Sequence, residues 1–303
     1  MALMRYLLLG GSGILGSGFV DAIRRDPTRG ELLRLAPDWR KPEEAVRCVA
    51  QAISELRAHG HPATVIWAAG VGQVGASREE MAAERTVLEA LCRALADLPA
   101  EQQRRTRLVF ASSAGALHGG NEGGMIRDSS QPSPISAYGH EKQSQEELCR
   151  SIAGLAGVGV LICRYSNIYG LASGRLPGKG LIPAAIKAAR LRQPMTIYVT
   201  PDTRRDYVYG PDAAATSLAL AEGLDGGSVT TLVAQGTTRT VAEIVNAVGG
   251  ILGRRVPATF AVRPQTALQP RTLMFEPDTP VRGVVARTPM AVAIHRMAHA
   301  PFG

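Results

Sequence analysis

Short apolar runs alternate with amphipathic stretches through the first half of the chain. Runs at residues 5–9, 31–36, 64–69, 108–112 and 159–163 have the length and apolar content of buried strands. Between them, residues 14–25, 42–58, 78–98 and 138–153 carry apolar positions at helical spacing. Strand–helix alternation of this kind predicts an α/β fold, a doubly wound parallel sheet with helices on both faces. Two loops rich in Gly, Ser and Pro, at 115–124 and 129–136, interrupt the pattern. Binding loops of such folds occupy places of this kind.

After Asn167 the texture changes. Glycines and prolines at 170–180 precede a predicted helix at 182–192, a short strand at 195–199 and the segment Arg204-Arg205-Asp206. A helix at 212–223, a strand at 230–234, a helix at 241–252 and a proline-rich tail follow. The expected organisation is a first domain over residues 1–168, with a segment near 205–235 returning to it, and a smaller discontinuous lobe over 169–303.

The first strand runs into Gly10-Gly11-Ser12-Gly13-Ile14-Leu15-Gly16 and then a helix. Glycines at this spacing allow a tight turn and let the backbone approach a pyrophosphate lying on the helix N-terminus. Gly10, Ser12, Gly13, Ile14, Leu15 and Gly16 are therefore candidate dinucleotide contacts. About 20 residues further on, such a site often places an acid for the adenosine ribose. Here the second strand ends without one, and Arg34, Arg40 and Lys41 stand nearby. Arginine at that place suits a 2′-phosphate, so NADP is favoured over NAD. The alternative is that Asp38 serves the ribose and the arginines are solvated.

Composition narrows the field. The 303 residues are 45% hydrophobic, enough for a large core, and the formal net charge is +8. The basic residues are scattered and aromatics are only 5%, so nucleic-acid binding is not expected. A positive balance suits an anionic small molecule or serves solubility alone. Cys48, Cys92, Cys149 and Cys163 have neither disulfide-framework nor metal-ligand spacing, and no metal site is expected. They read as small hydrophobes in a reduced compartment. No apolar run has the length of a membrane span, so the expected location is the cytoplasm.

Tyr138 and Lys142 are four residues apart and share one face of the predicted helix. A phenol ordinarily loses its proton near pH ~10, and an adjacent ammonium lowers that value. The pair is expected to exchange a proton with a carbonyl or alcohol near neutral pH.

With these features in hand the chain resembles the extended short-chain dehydrogenase/reductase family, the nucleotide-sugar epimerases, dehydratases and ketoreductases. The resemblance spans nearly the whole length. It rests on the glycine turn, Phe110-Ala111-Ser112-Ser113, Tyr138-x-x-x-Lys142, Arg164-Tyr165-Ser166-Asn167-Ile168-Tyr169-Gly170 and Arg205-Asp206-Tyr207-Val208. It implies a Rossmann-type dinucleotide domain with a C-terminal substrate lobe. It implies that Ser113, Tyr138 and Lys142 are catalytic, with Lys142 and Tyr138 also touching the cofactor and Tyr165 on the cofactor side. Asp38-Trp39 resembles the pair beside the adenine, and Ala68-Ala69-Gly70 the loop beside the ribose. Asn167 and Arg205 resemble contacts of the sugar nucleotide, together with Ser113. Arg205 has a plain alternative as partner of a structural acid, and Asn167 as a satisfier of loop backbone. His118 and His140 read as loop or surface residues. A homodimer through a bundle including the Tyr138 helix is common among such proteins.

Departures sharpen the reading. Ala114-Gly115 stand where the family's 4,6-dehydratases carry an Asp-Glu pair, which argues against dehydration. Tyr209-Gly210-Pro211-Asp212 replaces a Val-Asp-Asp-like run. The stretch between Gly16 and Thr64 is short, as if one strand–helix unit were trimmed, an economy that dTDP-4-dehydrorhamnose reductases share. The leading expectation is an NAD(P)-dependent reduction of a nucleotide-linked keto-sugar, with Tyr138 as the acid. The alternatives are an epimerase that retains NAD and a non-catalytic dinucleotide-binding regulator.

Overall fold

The computed structural model describes residues 4–70, 78–121, 123–261, 270–280 and 287–303. In chain order its elements are β1 (Arg5–Leu9), α1 (Ile14–Arg24), β2 (Glu31–Leu35), α2 (Pro42–His59), β3 (Ala63–Trp67), α3 (Arg78–Ala96), α4 (Ala100–Arg104), β4 (Thr106–Ser113), α5 (Ala114–Leu117) and β5 (Met125–Arg127). Then come α6 (Ala137–Ala156), β6 (Gly159–Tyr165), β7 (Asn167–Tyr169), α7 (Leu181–Leu191), β8 (Met195–Ile197), β9 (Arg204–Tyr209) and α8 (Gly210–Glu222). The chain finishes with β10 (Ser228–Val233), β11 (Thr238–Thr240), α9 (Val241–Leu252), β12 (Ala258–Phe260), β13 (Met274–Glu276) and α10 (Met290–Ala298).

Six strands form the main sheet in the order β10-β6-β4-β3-β1-β2, all parallel. β3, β4 and β6 are apolar on both faces because helices cover both. On one face α2, α3 and α6 pack around Trp67, Leu88, Leu91 and Phe110. On the other, α1 and α8 pack around Phe19, Ile23, Val109 and Leu218. Gly18 lets α1 approach α8, since a Cβ there would lie 2.8 Å from the Gly210 carbonyl oxygen. β2 ends the order on one side and is the most exposed strand of the sheet, with Leu33 44% exposed. No strand–helix unit separates β2–α2 from β3, which is the trimming read from the sequence.

Beyond the sheet, α7, α9 and α10 share a separate apolar cluster built on Ile182, Ile186, Ile244, Val248, Ile294 and Met297. Short strands tie it to the rest: β11-β9-β7 form one small sheet, β8 pairs with β12, and β13 pairs with β5. The last pairing brings a late segment of the chain across the C-terminal ends of the main strands. The tail expected to be merely proline-rich contains α10, whose Ala293, Ile294 and Met297 are buried.

Candidate active site

β1 has β2 on one side and β3 on the other, so the chain reverses its direction of travel across the sheet there. Ligands of such sheets bind at that point, above the C-terminal strand ends. Gly10 leaves β1 with φ +85, and a Cβ on it would stand 2.5 Å from the Ala68 carbonyl oxygen and the Ala69 nitrogen. A Cβ on Gly16 would overlap the Gly10 carbonyl oxygen. Only glycine fits either place. The Gly13 N–H closes the turn on the Gly10 carbonyl at 3.3 Å. Gly13 caps α1 without a side chain, so the first-turn N–H groups of α1 carry no side-chain acceptor from the cap. This cradle fits a pyrophosphate. Ser173, in a left-handed conformation, donates its backbone N–H to Ser17 Oγ at 2.7 Å and its hydroxyl to the Ser12 carbonyl at 3.3 Å. The segment after β7 thereby leans on the turn.

Toward β2, Arg34 lies on the glycine turn: a Cβ on Gly11 would be 2.9 Å from its Nε. Asp38 is engaged by Arg40, whose Nε and Nη2 donate to its carboxylate at 3.0 and 3.2 Å. Those bonds hold Asp38 below the ordinary carboxylate range. Trp39 stands edge-on to Trp67, ring centres 5.6 Å apart, and packs on the core. Ala68, Ala69 and Gly70 follow β3, with the Ala68 N–H donating to the Leu9 carbonyl at 3.0 Å.

Ser113 closes β4 and caps α5, accepting from the Ala116 N–H at 3.3 Å. Tyr138 is in the first turn of α6, which Ser136 caps. The glycine after it has a reason, because a Cβ on Gly139 would collide with the Ala116 carbonyl. α6 is thus pressed onto α5, and Tyr138 comes to Ser113. Both line a cavity of about 270 Å³ with Asn167, Arg205, Ile135 and Phe275. Arg205 Nη1 donates to the carbonyls of Arg204, at 2.8 Å, and Arg271, at 3.3 Å. Burial lowers the Arg205 pKa. Its hydrogen-bond partners among the described residues are main-chain oxygens, not a structural acid. Asn167 Nδ2 donates to the Asp206 carbonyl at 2.9 Å, so it braces backbone while lining the cavity. Tyr165 also lines the cavity, but its hydroxyl is bonded to Ser217 on α8 at 2.6 Å.

The charge around Tyr138 departs from expectation. Lys142 is 3% exposed, and its Nζ donates to Glu84 Oε1 at 2.9 Å and Gln145 Oε1 at 2.8 Å. It lies 5.1 Å from the centre of the Phe110 ring and 5.9 Å from that of Tyr138. Tyr138 titrates above the ordinary phenol value, not below it. Burial is the largest cause; Lys142 and Ser113 pull down, while Glu84 pushes up. The expected acidification by Lys142 is therefore outweighed in this structure by desolvation, with Glu84 opposing it. His118 lies in the turn after α5, as a loop residue, but not at the surface: it is 1% exposed, with Nε2 unpartnered among the described residues. Burial, then the Arg164 charge, brings its pKa down to about 4.

Residues 6–233 match the sequence profile of the NAD dependent epimerase/dehydratase family. The chain belongs to this family. Among relatives of the family, a UDP-glucose 4-epimerase of Azospirillum brasilense is 34% identical over 172 residues, 52% of this chain and 49% of that protein. The chain thus spans about half the length of the first curated relatives it matches, or less. A UDP-glucose 4-epimerase of Streptococcus mutans is 24% identical over 86% of this chain and 85% of its own. Among solved structures, MoeE5 in complex with UDP-glucose and NAD aligns over 97% of both chains, with TM-score 0.76 and 22% identity. A Bacillus cereus UDP-glucuronic acid 4-epimerase, solved with UDP-glucuronic acid and NAD, gives TM-score 0.79 at 15% identity, over 97% of this chain and 98% of its own. At those identities the likeness is one of fold.

Within this family member several supporting residues were not legible from motifs. Glu146, fully buried, accepts from Ser112 Oγ at 2.7 Å and from Arg164 Nε and Nη2 at 3.0 and 2.8 Å. Ser112 is committed there, which leaves Ser113 as the member of the serine pair that lines the cavity. Buried Asp206 accepts from Ser166 Oγ and from the N–H groups of Gln235, Gly236 and Thr237. It pins the loop after β10 beneath Asn167. Pro270, Leu273 and Phe275 reach the cavity from the late segment that pairs with β5. No described helix is long and apolar enough to cross a membrane.

Proposed function

We propose that the protein is an epimerase of nucleotide-linked hexoses, with UDP-sugars as its substrate class and a retained nicotinamide dinucleotide. The observation that carries the reading is one cavity, lined by Ser113, Tyr138, Asn167 and Arg205, at the same C-terminal edge of the sheet as a glycine cradle that a Cβ would fill. The UDP-glucose 4-epimerases among the curated relatives favour epimerisation over net reduction.

A bound dinucleotide, held by the glycine turn and Lys142, would supply hydride acceptance and return and, when oxidised, a positive charge. Tyr138 takes the proton of the reacting sugar hydroxyl and gives it back after the keto-sugar has turned over. Ser113 donates a hydrogen bond to the same oxygen and steadies its developing charge. Tyr138 rests as a neutral phenol, so its turn as base needs added positive charge nearby; Lys142 supplies part of it. Arg205 meets the diphosphate, for which a guanidinium fork is suited, and Asn167 meets the sugar. Gly10 to Gly16 receive the pyrophosphate, Ala68 to Gly70 and Lys142 the nicotinamide side, Trp39 and Tyr165 the flanks. Arg34, with Asp38 tied to Arg40, supports a 2′-phosphate and hence NADP, although the solved neighbours carry NAD.

The raised proton affinity of Tyr138 favours one second reading, a reductase in which the phenol acts only as acid. Incubation with UDP-glucose or UDP-galactose, followed by chromatographic analysis of the sugars, separates the two. Interconversion without net change in nicotinamide absorbance supports the epimerase. Stoichiometric oxidation of reduced cofactor by a 4-keto sugar nucleotide, with no interconversion, refutes it.

A further inference from the structure

An ammonium carries three N–H donors, and a buried one left without a partner tends to lose its proton. Two donors of Lys142 go to Glu84 and Gln145. Gln145 is itself oriented, because its Nε2 donates to Glu141 Oε1 at 3.1 Å. Glu141 is held in turn by Arg85, Nη2 to Oε2 at 2.8 Å. A line Glu84–Lys142–Gln145–Glu141–Arg85 therefore bridges α3 and α6, with the ammonium at its dry end. Glu84 is 1% exposed.

The line ends where the two halves of the site meet. A Cβ on Gly70 would lie 3.6 Å from Glu84 Oε2 and 3.7 Å from Oε1, so the carboxylate abuts the turn after β3. That turn begins at Ala68, which presses on Gly10. On the other side the ammonium faces the rings of Phe110 and Tyr138. Glu84 thus stands between the glycine cradle and the phenol, although α3 carries no motif of the chemistry.

We propose that Glu84 is a positioning residue, whose carboxylate anchors the Lys142 ammonium beside the Gly70 turn so that its remaining N–H meets the nicotinamide-side ribose of a bound dinucleotide. The assignment rests on the dinucleotide reading above. The titratable and charged groups facing Lys142 are Glu84 from α3 and Tyr138 and Cys149 from α6; Cys92 of α3 and Glu146 of α6 act on Cys149, and Ser113 of β4 faces Tyr138. Burial works against the Lys142 charge, and Glu84 does the most to restore it, ahead of Tyr138 and Cys149. With an amide in place of that carboxylate, burial meets weaker opposition and the Lys142 pKa falls. Affinity that needs the ammonium is then lost as pH rises through the lowered value.

The test titrates the purified full chain with NADH, NADPH and ADP, the last lacking the nicotinamide ribose, from about pH 6 to about pH 9. The wild type is expected to hold its preferred reduced dinucleotide with little pH dependence. Glu84→Gln is expected to bind it roughly tenfold more weakly near neutrality and more weakly still as pH rises, with ADP unchanged. Glu84→Asp keeps the charge at shorter reach and is expected to restore the flat profile at about threefold reduced affinity. Wild-type dinucleotide binding by Glu84→Gln at every pH overturns the proposal, as does parallel loss of ADP. Should Glu84→Gln not fold, Glu84→Asp decides: unaltered dinucleotide affinity overturns the proposal, and selective weakening with ADP retained supports it. A wild type that binds none of the three ligands fails the dinucleotide reading itself, and this inference with it.

Discussion

Replacing Arg34 by glutamine should erase a preference for NADPH over NADH. Arg34 is exposed and its Nε overhangs Gly11, so a 2′-phosphate on the adenosine ribose would meet the guanidinium in largely aqueous surroundings. Two unit charges about 4 Å apart attract by ~1 kcal/mol in water and by ~4 kcal/mol where water is partly excluded. A 2′-phosphate carries between one and two negative charges, and the open setting places the interaction toward the lower limit. At 1.4 kcal/mol per tenfold, the wild type is expected to bind NADPH about five- to thirtyfold more tightly than NADH. Fluorescence titration of both reduced dinucleotides, in low salt and near ~0.15 M, measures the ratio directly. The ratio should shrink with salt, because the Debye length contracts to ~8 Å. Arg34→Gln should bring it close to unity, whereas Asp38→Asn should leave it alone, since that carboxylate is occupied by Arg40. A wild type that prefers NADH, or a ratio that survives loss of Arg34, refutes the reasoning and returns the ribose to another group.

Three further outcomes are expected. Tyr138→Phe should cut turnover by roughly 10²- to 10⁴-fold while dinucleotide affinity changes by less than about twofold; unchanged turnover removes the phenol from the chemistry. Glu146→Gln should destabilise the fold by about 3–5 kcal/mol, because it leaves the buried Arg164 guanidinium without its carboxylate. Urea unfolding measures this, and a loss below ~1 kcal/mol would mean that the cluster relaxes or admits water. His118, with its pKa brought down to about 4, stays neutral in the folded chain while the unfolded chain takes up a proton below ~6.5. Its contribution is complete above the unfolded value and is lost as pH falls from ~6.5 toward 4, up to roughly 3 kcal/mol in all. Urea midpoints of His118→Leu should therefore fall less steeply over that window than those of the wild type, and parallel slopes would contradict the burial argument.

The glycine turn and its flanking elements were legible because their causes are local. A saturated apolar run makes β1, and glycines that no other residue can replace make the turn. Tyr138 and Lys142 were placed on one helix face by spacing alone. The direction of the Tyr138 shift was not legible, because burial beneath α5 and the carboxylate of Glu84 are properties of the assembled fold. Glu84 itself sits in an Ala- and Glu-rich stretch that reads as a solvated surface. β7, β9 and β11 escaped for another reason. β7 and β11 have three residues each, and Arg204, Arg205, Asp206 and Arg239 break the apolar signature of β9 and β11. Their pairing is supplied by partners distant in sequence. α10 did leave a signal, with Met290, Ala293, Ile294 and Met297 at helical spacing, overshadowed by the prolines before it.

Among the described residues no strand pairs with the outer side of β2, which the trimming of one strand–helix unit leaves at the end of the sheet. Such a flank invites a strand from another molecule, and natural sheets discourage this with brevity and charge. β2 has five residues, begins after Gly30 at φ +125, and carries Glu31, paired with Arg5 at 3.3 Å, and Arg34. Arg34 therefore puts a charge on this flank as well as lying on the glycine turn. An apolar replacement there would raise the risk of β-stacked oligomers at high protein concentration, so glutamine, still polar and strongly hydrated, is the substitution that isolates its effect on the nucleotide.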